Sequence, residues 1–300
     1  MGEVSIVIEK LREAKARQRA LLWLKFKSNK AAFISLCILT FIFLLAILGP
    51  YMVPESPYDF NLSRALEPPS LNSIFGRDEL GRNILSRVIV GSRFSIGVAL
   101  LSVLLGGCIG VLLGLVSGYI GGKVDVVIQR FTDILLAFPT ILLAIALISV
   151  LGVGIGNLIV SIGVSTVPIY IRLSRSLVFQ IRSEDYITAA FALGKSGRYI
   201  MFRHVLPNIL PAIIVQSTYY MGLSLLLASG LGFLGLGVQP PIPEWGAMIG
   251  SGRTYIYSSP HVIIFPGLFI LISALCFNLT GDGLRDALDP RIKVMIRRAG

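Results

Sequence analysis

Residues 94–119 read FSIGVALLSVLLGGCIGVLLGLVSGY and contain no Asp, Glu, Lys or Arg. A helix climbs about 1.5 Å per residue, so roughly 20 apolar residues cross the roughly 30 Å hydrocarbon core of a bilayer. This stretch is long enough to do so, and five more charge-free runs accompany it, at 31–49, 134–151, 158–171 (extending toward 179), 208–230 and 262–281. The expected fold is therefore an all-α membrane protein with six transmembrane helices. Composition agrees: 54% of the 300 residues are hydrophobic, 14% are charged, and mean hydropathy is +0.80. Those values lie outside the range of soluble globular domains.

Charge sets the orientation. With the N-terminus inside, the segments 1–30, 120–133, 172–207 and 281–300 hold 21 of the 27 Lys and Arg, counted along the sequence. The other side carries Arg64, Arg77, Arg82, Arg87, Arg93 and Arg253, balanced by Glu55, Asp59, Glu67, Asp78, Glu79 and Glu244. This is the positive-inside asymmetry, which places both termini in the cytoplasm. It also accounts for the net charge of +11 through an anionic cytoplasmic leaflet, so membrane lipid and not nucleic acid is the expected partner. The apolar run after the basic N-terminus is too long for a signal-peptide core, and no small-residue cleavage pattern follows it.

Several chemistries lack their residues. Cys37, Cys108 and Cys276 lie in apolar runs with no metal-ligand or disulfide spacing, so no metal site is expected. No paired carboxylates or nucleophile–base set lies in or beside the spans, so no catalytic residue and no cofactor is expected, and the chain is read as a non-enzyme. Ion-coupled transporters usually carry ionisable residues inside the membrane, and these six runs carry none. Gly230, Gly232 and Gly235 spell GxGxxG without the strand–turn–helix context that gives the pattern meaning. Ala189–Ser196 approximates a phosphate-cradling loop, yet the parallel sheet it needs does not fit between two spans. Any ATP must be hydrolysed on another chain.

Within the second run, Gly106, Gly110, Gly114 and Gly118 recur every four residues and leave one helix face as bare backbone for a neighbour to approach. A packing seam is the plain reading, and a sliding surface is the alternative. Pro139, Pro168, Pro211 and Pro266 stand within spans, where kinks are tolerated. Residues 50–93 form a long extracytoplasmic segment in which Leu80, Ile84, Leu85, Val88 and Ile89 mark an amphipathic helix opposite Glu79, Arg82, Asn83, Ser86 and Arg87. Trp245, after the Pro240-Pro241-Ile242-Pro243 run, suits an interfacial anchor, and Asp282, Arg285, Asp286 and Asp289 suit a solvated helix end.

The segment 182–207 is the most informative. Glu184 and Asp185 place negative charge at a helix start, and Tyr186, Ala189, Ala190 and Leu193 share a face at helical spacing. Gly194 ends that helix and Ser196 caps the next, which leads through His204 into Leu206-Pro207. Physically this is a short helical elbow fixed to two spans.

Here Thr188, Ala189, Ala190, Gly194, His204, Leu206 and Pro207 resemble the EAA loop of binding-protein-dependent ABC importer permeases, with Thr188 where Glu is usual and His204 where an aliphatic residue is usual. Three longer stretches resemble the C-type subunit of the oligopeptide and dipeptide (nickel) permease subfamily. They are FGRDELGRNILSRVIVGSRFSIG at 75–97, GFLGLGVQPPIPEWGAMI at 232–249 and FPGLFILISALCFNLTGDGLRDALDPR at 265–291. The resemblance implies a cytoplasmic-membrane permease that carries di- or oligopeptides or related solutes. It also implies a homologous second permease, two cytoplasmic ATPase subunits docked on the elbow, and an extracytoplasmic solute-binding protein. The expected organisation is a basic tail at 1–30, a first span at 31–49, the outer segment at 50–93, a permease core at 94–281 containing the coupling loop 182–207, and a cytoplasmic tail at 282–300. A self-contained secondary transporter or channel is the alternative.

Overall fold

The computed structural model describes residues 20–288. Among these the chain is helical, with isolated bridges at Ser70–Ser73 and Arg77–Asn83 but no strand. After helical residues 20–28 come α1 (Lys30–Met52), α2 (Ile84–Ile120), α3 (Gly122–Leu136), α4 (Thr140–Leu151) and α5 (Ile155–Arg182). Then follow α6 (Asp185–Ala192), α7 (Gly197–Phe233), α8 (Trp245–Gly252) and α9 (His261–Leu288). Helices α1, α2, α5, α7 and α9 are each long and apolar enough to cross a membrane, and a sixth crossing exists only if α3 and α4 are taken together.

That pair corrects the expected single run at 134–151: α3 and α4 meet at 90°, and residue 134 belongs to the last turn of α3. Pro139 causes the break. It has no N–H to continue the α3 ladder, and its ring disfavours a helical Phe138 before it. Pro139 then stands at the N-cap of α4.

The second span starts at Ile84 rather than near 94, so the boundary expected at 93 falls inside α2. Asn83 caps this helix by accepting from Ser86 N–H at 3.1 Å. The expected amphipathic helix is the first turns of α2, and it does not lie exposed on the surface. Ile84 and Val88 are fully buried on one side, and Ser86 and Arg87 are buried on the other. Buried charge is tolerated there because it is paired. Asp78 accepts from Arg82 Nε at 2.7 Å and lies 3.3 Å from Arg87 Nε, while Arg77 reaches Glu55 at 2.7 Å. Phe75 stacks on Phe265 at 4.0 Å, fixing this outer segment to the start of α9.

Trp245 is also not an interfacial anchor. It is wholly buried, and its indole N–H donates to Val88 O at 2.9 Å, tying α8 to α2. The last helix runs on to Leu288, so residues 282–288, expected in the tail, are helical. Phe26 packs with Ala32 and Ala287, so residues 20–28 fold against that helix end. Asp289 and the basic stretch 1–19 lie outside the described residues.

The main packing axis joins α2 and α5. Along it a Cβ on Gly106 would stand 2.5 Å from Gly163 O, on Gly110 2.7 Å from Val167 O, on Gly114 2.5 Å from Ile171 O and on Gly118 3.0 Å from Arg175 O. Only bare backbone permits such an approach.

Candidate functional site

At its cytoplasmic end α5 stops at Arg182, and one short turn later Glu184 opens α6 with Asp185 in the first turn, where the helix dipole favours an acid. Two turns suffice to define its faces. Ile187 and Ala190 are buried in the same core cluster as Ile200, Met201 and Val205, whereas Tyr186, Phe191 and Leu193 stand exposed, Leu193 at 77%. Gly194 ends the helix in the left-handed region at φ +75, with Lys195 N–H closing back on Ala190 O at 3.2 Å. A side chain at that φ would be strained. Ser196 Oγ then accepts from Tyr199 N–H and caps the next helix.

The chain passes into α7 without a break, where the expected span began only at 208. It does so through one wide turn, Met201–Val205, in which Leu206 N–H bonds Met201 O. Pro207 accounts for the widening, since its missing N–H leaves an ordinary helical ladder incomplete.

The seven elbow residues therefore divide. Thr188, Ala189, Gly194 and Pro207 face outward, Ala190 packs inward, and His204 and Leu206 are half-buried. The His204 ring sits edge-on to Tyr199 at 5.6 Å. Sequence reasoning missed Asn208, whose amide donates to Tyr186 Oη at 3.2 Å and to His204 O at 2.6 Å, stitching α6 to α7. Its signal was an amide at the mouth of an apolar run. Burial, with the nearby Glu184 charge, pushes the Tyr186 hydroxyl above the usual phenol range, so it stays neutral as the acceptor.

Directly beyond the elbow, α5, α7 and α9 line an open cavity of about 920 Å³. Its wall is apolar at Leu173, Leu177, Pro211 and Val215, interrupted by Gln180, Gln216, Tyr219 and Asn278. Asp282 and Arg285, read from sequence as a solvated helix end, stand on this wall. Polar side chains within membrane helices face water or protein rather than lipid, so this wall is not a lipid-facing surface.

Residues 110–294 match the family described as binding-protein-dependent transport system inner membrane component, and residues 18–69 match the N-terminal TM domain of oligopeptide transport permease C. The chain is 45% identical over 269 residues to a dipeptide transport system permease protein of Alkalihalophilus pseudofirmus, covering 90% of this chain and 88% of that one. It is 40% identical over 272 residues to a glutathione transport system permease protein of Pectobacterium atrosepticum, covering 90% of each. Among solved structures, the inward-facing MetNI methionine ABC transporter aligns with a TM-score of 0.56 at 19% identity, covering 69% of this chain and 98% of that one, a likeness of fold. The chain belongs to the binding-protein-dependent inner membrane components: it is a multi-pass permease subunit of an ABC importer.

Proposed function

We propose that this permease pairs with a homologous second permease, that two cytoplasmic ATPase subunits dock on its elbow, and that an extracytoplasmic binding protein delivers short peptides to it. The observation that carries this reading is mechanical. The elbow is fixed at one end to α5 and at the other to α7, the two helices that wall the cavity together with α9, while its apolar tip at Phe191 and Leu193 is uncovered. Force applied at that tip acts on the cavity wall. Nucleotide on the partners would bias two states of the pathway. The peptide class rests on the dipeptide and glutathione permeases that the chain resembles.

The test is mild-detergent purification of the tagged chain from its native membrane, with mass spectrometry of what accompanies it and uptake of a labelled dipeptide in liposomes. Wild type should bring down an ATPase. Leu193→Asp, at a position 77% exposed, should reduce that recovery about tenfold, as loss of an apolar hot spot does. Gly194→Pro, incompatible with the left-handed turn, should do the same. A wild-type chain that purified alone and catalysed uptake without ATP would replace this reading with a secondary transporter.

A further inference from the structure

Helix α3 is held in an unusual way. Among its residues only Thr132 is fully buried, while Val126, Val127, Phe131 and Ile134 are exposed. Its attachment to the rest of the protein is polar. Arg175 of α5 donates from Nε and Nη2 to the two oxygens of Asp125 at 2.6 and 2.7 Å. Ser117 of α2 donates to Asp125 at 2.5 Å, and Gln129 donates to Ser117 at 3.0 Å. A second pair, Arg172–Asp133 at 2.7 Å, lies further along with both side chains about half exposed.

The place of this network matters. Arg175 lies where Gly118 of α2 presses on α5, about two turns before α5 ends at the elbow. The α2–α5 seam makes those two helices one body, and α3 leads from that body into the 90° break at Pro139. A bidentate guanidinium–carboxylate pair fixes direction as well as distance, which a loose apolar contact does not.

We propose that Arg175 is a positioning residue for coupling: through Asp125 it yokes α3 to the α2–α5 body, so that displacement of the elbow is delivered to the bent α3–α4 segment. This rests on the reading that ATPases act at the elbow. The exposed Arg172–Asp133 pair guides the same docking but contributes little to it, as solvated pairs do.

The experiment uses the complete complex with its binding protein, reconstituted in liposomes with ATP and a labelled dipeptide, reading uptake and ATP hydrolysis together. Arg175→Ala and Asp125→Ala should each lower uptake per ATP about tenfold while ATPase recovery on the elbow stays at the wild-type level. The double exchange Asp125→Arg with Arg175→Asp should restore the ratio to within about twofold, and Arg172→Ala should stay within about twofold of wild type. An unchanged ratio in Arg175→Ala overturns the proposal, as does a double exchange no better than its parents. If Arg175→Ala does not assemble, Arg175→Lys takes its place, since it keeps the charge without the fork. A normal ratio with Lys then overturns the proposal. Wild type lacking ATP-driven uptake would instead indict the docking of ATPases on the elbow, whereas a coupled wild type with an equally coupled Arg175→Ala indicts the yoke alone.

Discussion

Glu244→Ala is expected to cost about 3 kcal/mol or more of stability, because it leaves two buried donors and one partly buried donor without an acceptor. Glu244 is wholly buried at the N-cap of α8. One carboxylate oxygen accepts from Gly246 N–H at 2.9 Å and from Ser95 Oγ at 3.0 Å, and the other accepts from Ala247 N–H at 2.8 Å. Ser95 Oγ in turn accepts from Trp245 N–H at 3.0 Å, so the same cluster seats Trp245 on α2. Melting of the detergent-solubilised protein measures the loss. Glu244→Gln should cost about half as much, since its amide nitrogen would meet the Ala247 donor with another donor. Burial pushes the Glu244 carboxyl above the ordinary carboxylate range, against the opposing pull of the Gly246 and Ala247 N–H groups and Ser95. A carboxyl whose folded pKa is raised contributes its full stability below the unfolded value of 4.5 and loses it as pH rises through the folded value. The margin of wild type over Glu244→Gln should therefore narrow as pH increases over that window. A margin that widened would show the carboxyl depressed and not raised.

Spans were legible where a single cause sufficed. The apolar runs of α1, α5, α7 and α9 contain no charge through their cores, and nothing but a bilayer or its protein neighbours can surround such helices. The elbow was legible because its punctuation is local: Asp185 begins α6, and Gly194 ends it with a φ that only glycine takes readily. Three features were not. The run 134–151 is apolar throughout, and whether Pro139 kinks a helix or breaks it depends on what surrounds the freed carbonyls. Arg82, Arg87 and Asp78 make residues 75–90 look solvated until their mutual pairing, across a tight turn, is known. The third is pairing over distance: Asp125 and Arg175 are fifty positions apart, and neither is conspicuous in its own helix.

The candidate site divides in the same way. Sequence spacing placed all seven elbow positions in one segment without revealing that Ala190 faces inward and Ala189 outward. The cavity wall drew on α5, α7 and α9, whose mutual arrangement no local pattern encodes. Asp282 and Arg285 illustrate the limit. As an i, i+3 pair past an apolar run they read as a solvated end, and only the neighbouring α7 turns them into a wall.

Gly110→Ala is expected to destabilise the protein by about 3 kcal/mol, near the upper end for overpacking, although alanine is the better helix former. The new methyl group would overlap Tyr170 Cβ and lie 2.7 Å from Val167 O, both in a helix that is itself packed on its far side. Gly97→Ala, in the same helix with nothing within 4 Å, should be neutral or stabilising by up to about 1 kcal/mol. Thermal melting of the two variants in one detergent makes the comparison internal. The geometry favours a seam over a sliding surface. Gly106, Gly110, Gly114 and Gly118 meet the carbonyls of residues 163, 167, 171 and 175, so two four-residue ladders run in step along parallel helices. Shifting α5 by one residue would bring every glycine off its carbonyl and set side chains against backbone at four places at once. Such an interface holds one register, and carbonyls this close to bare Cα atoms add weak C–H···O attraction to the packing. The stripe is then the joint about which the α2–α5 body stays rigid, and equal melting of Gly110→Ala and Gly97→Ala would refute it.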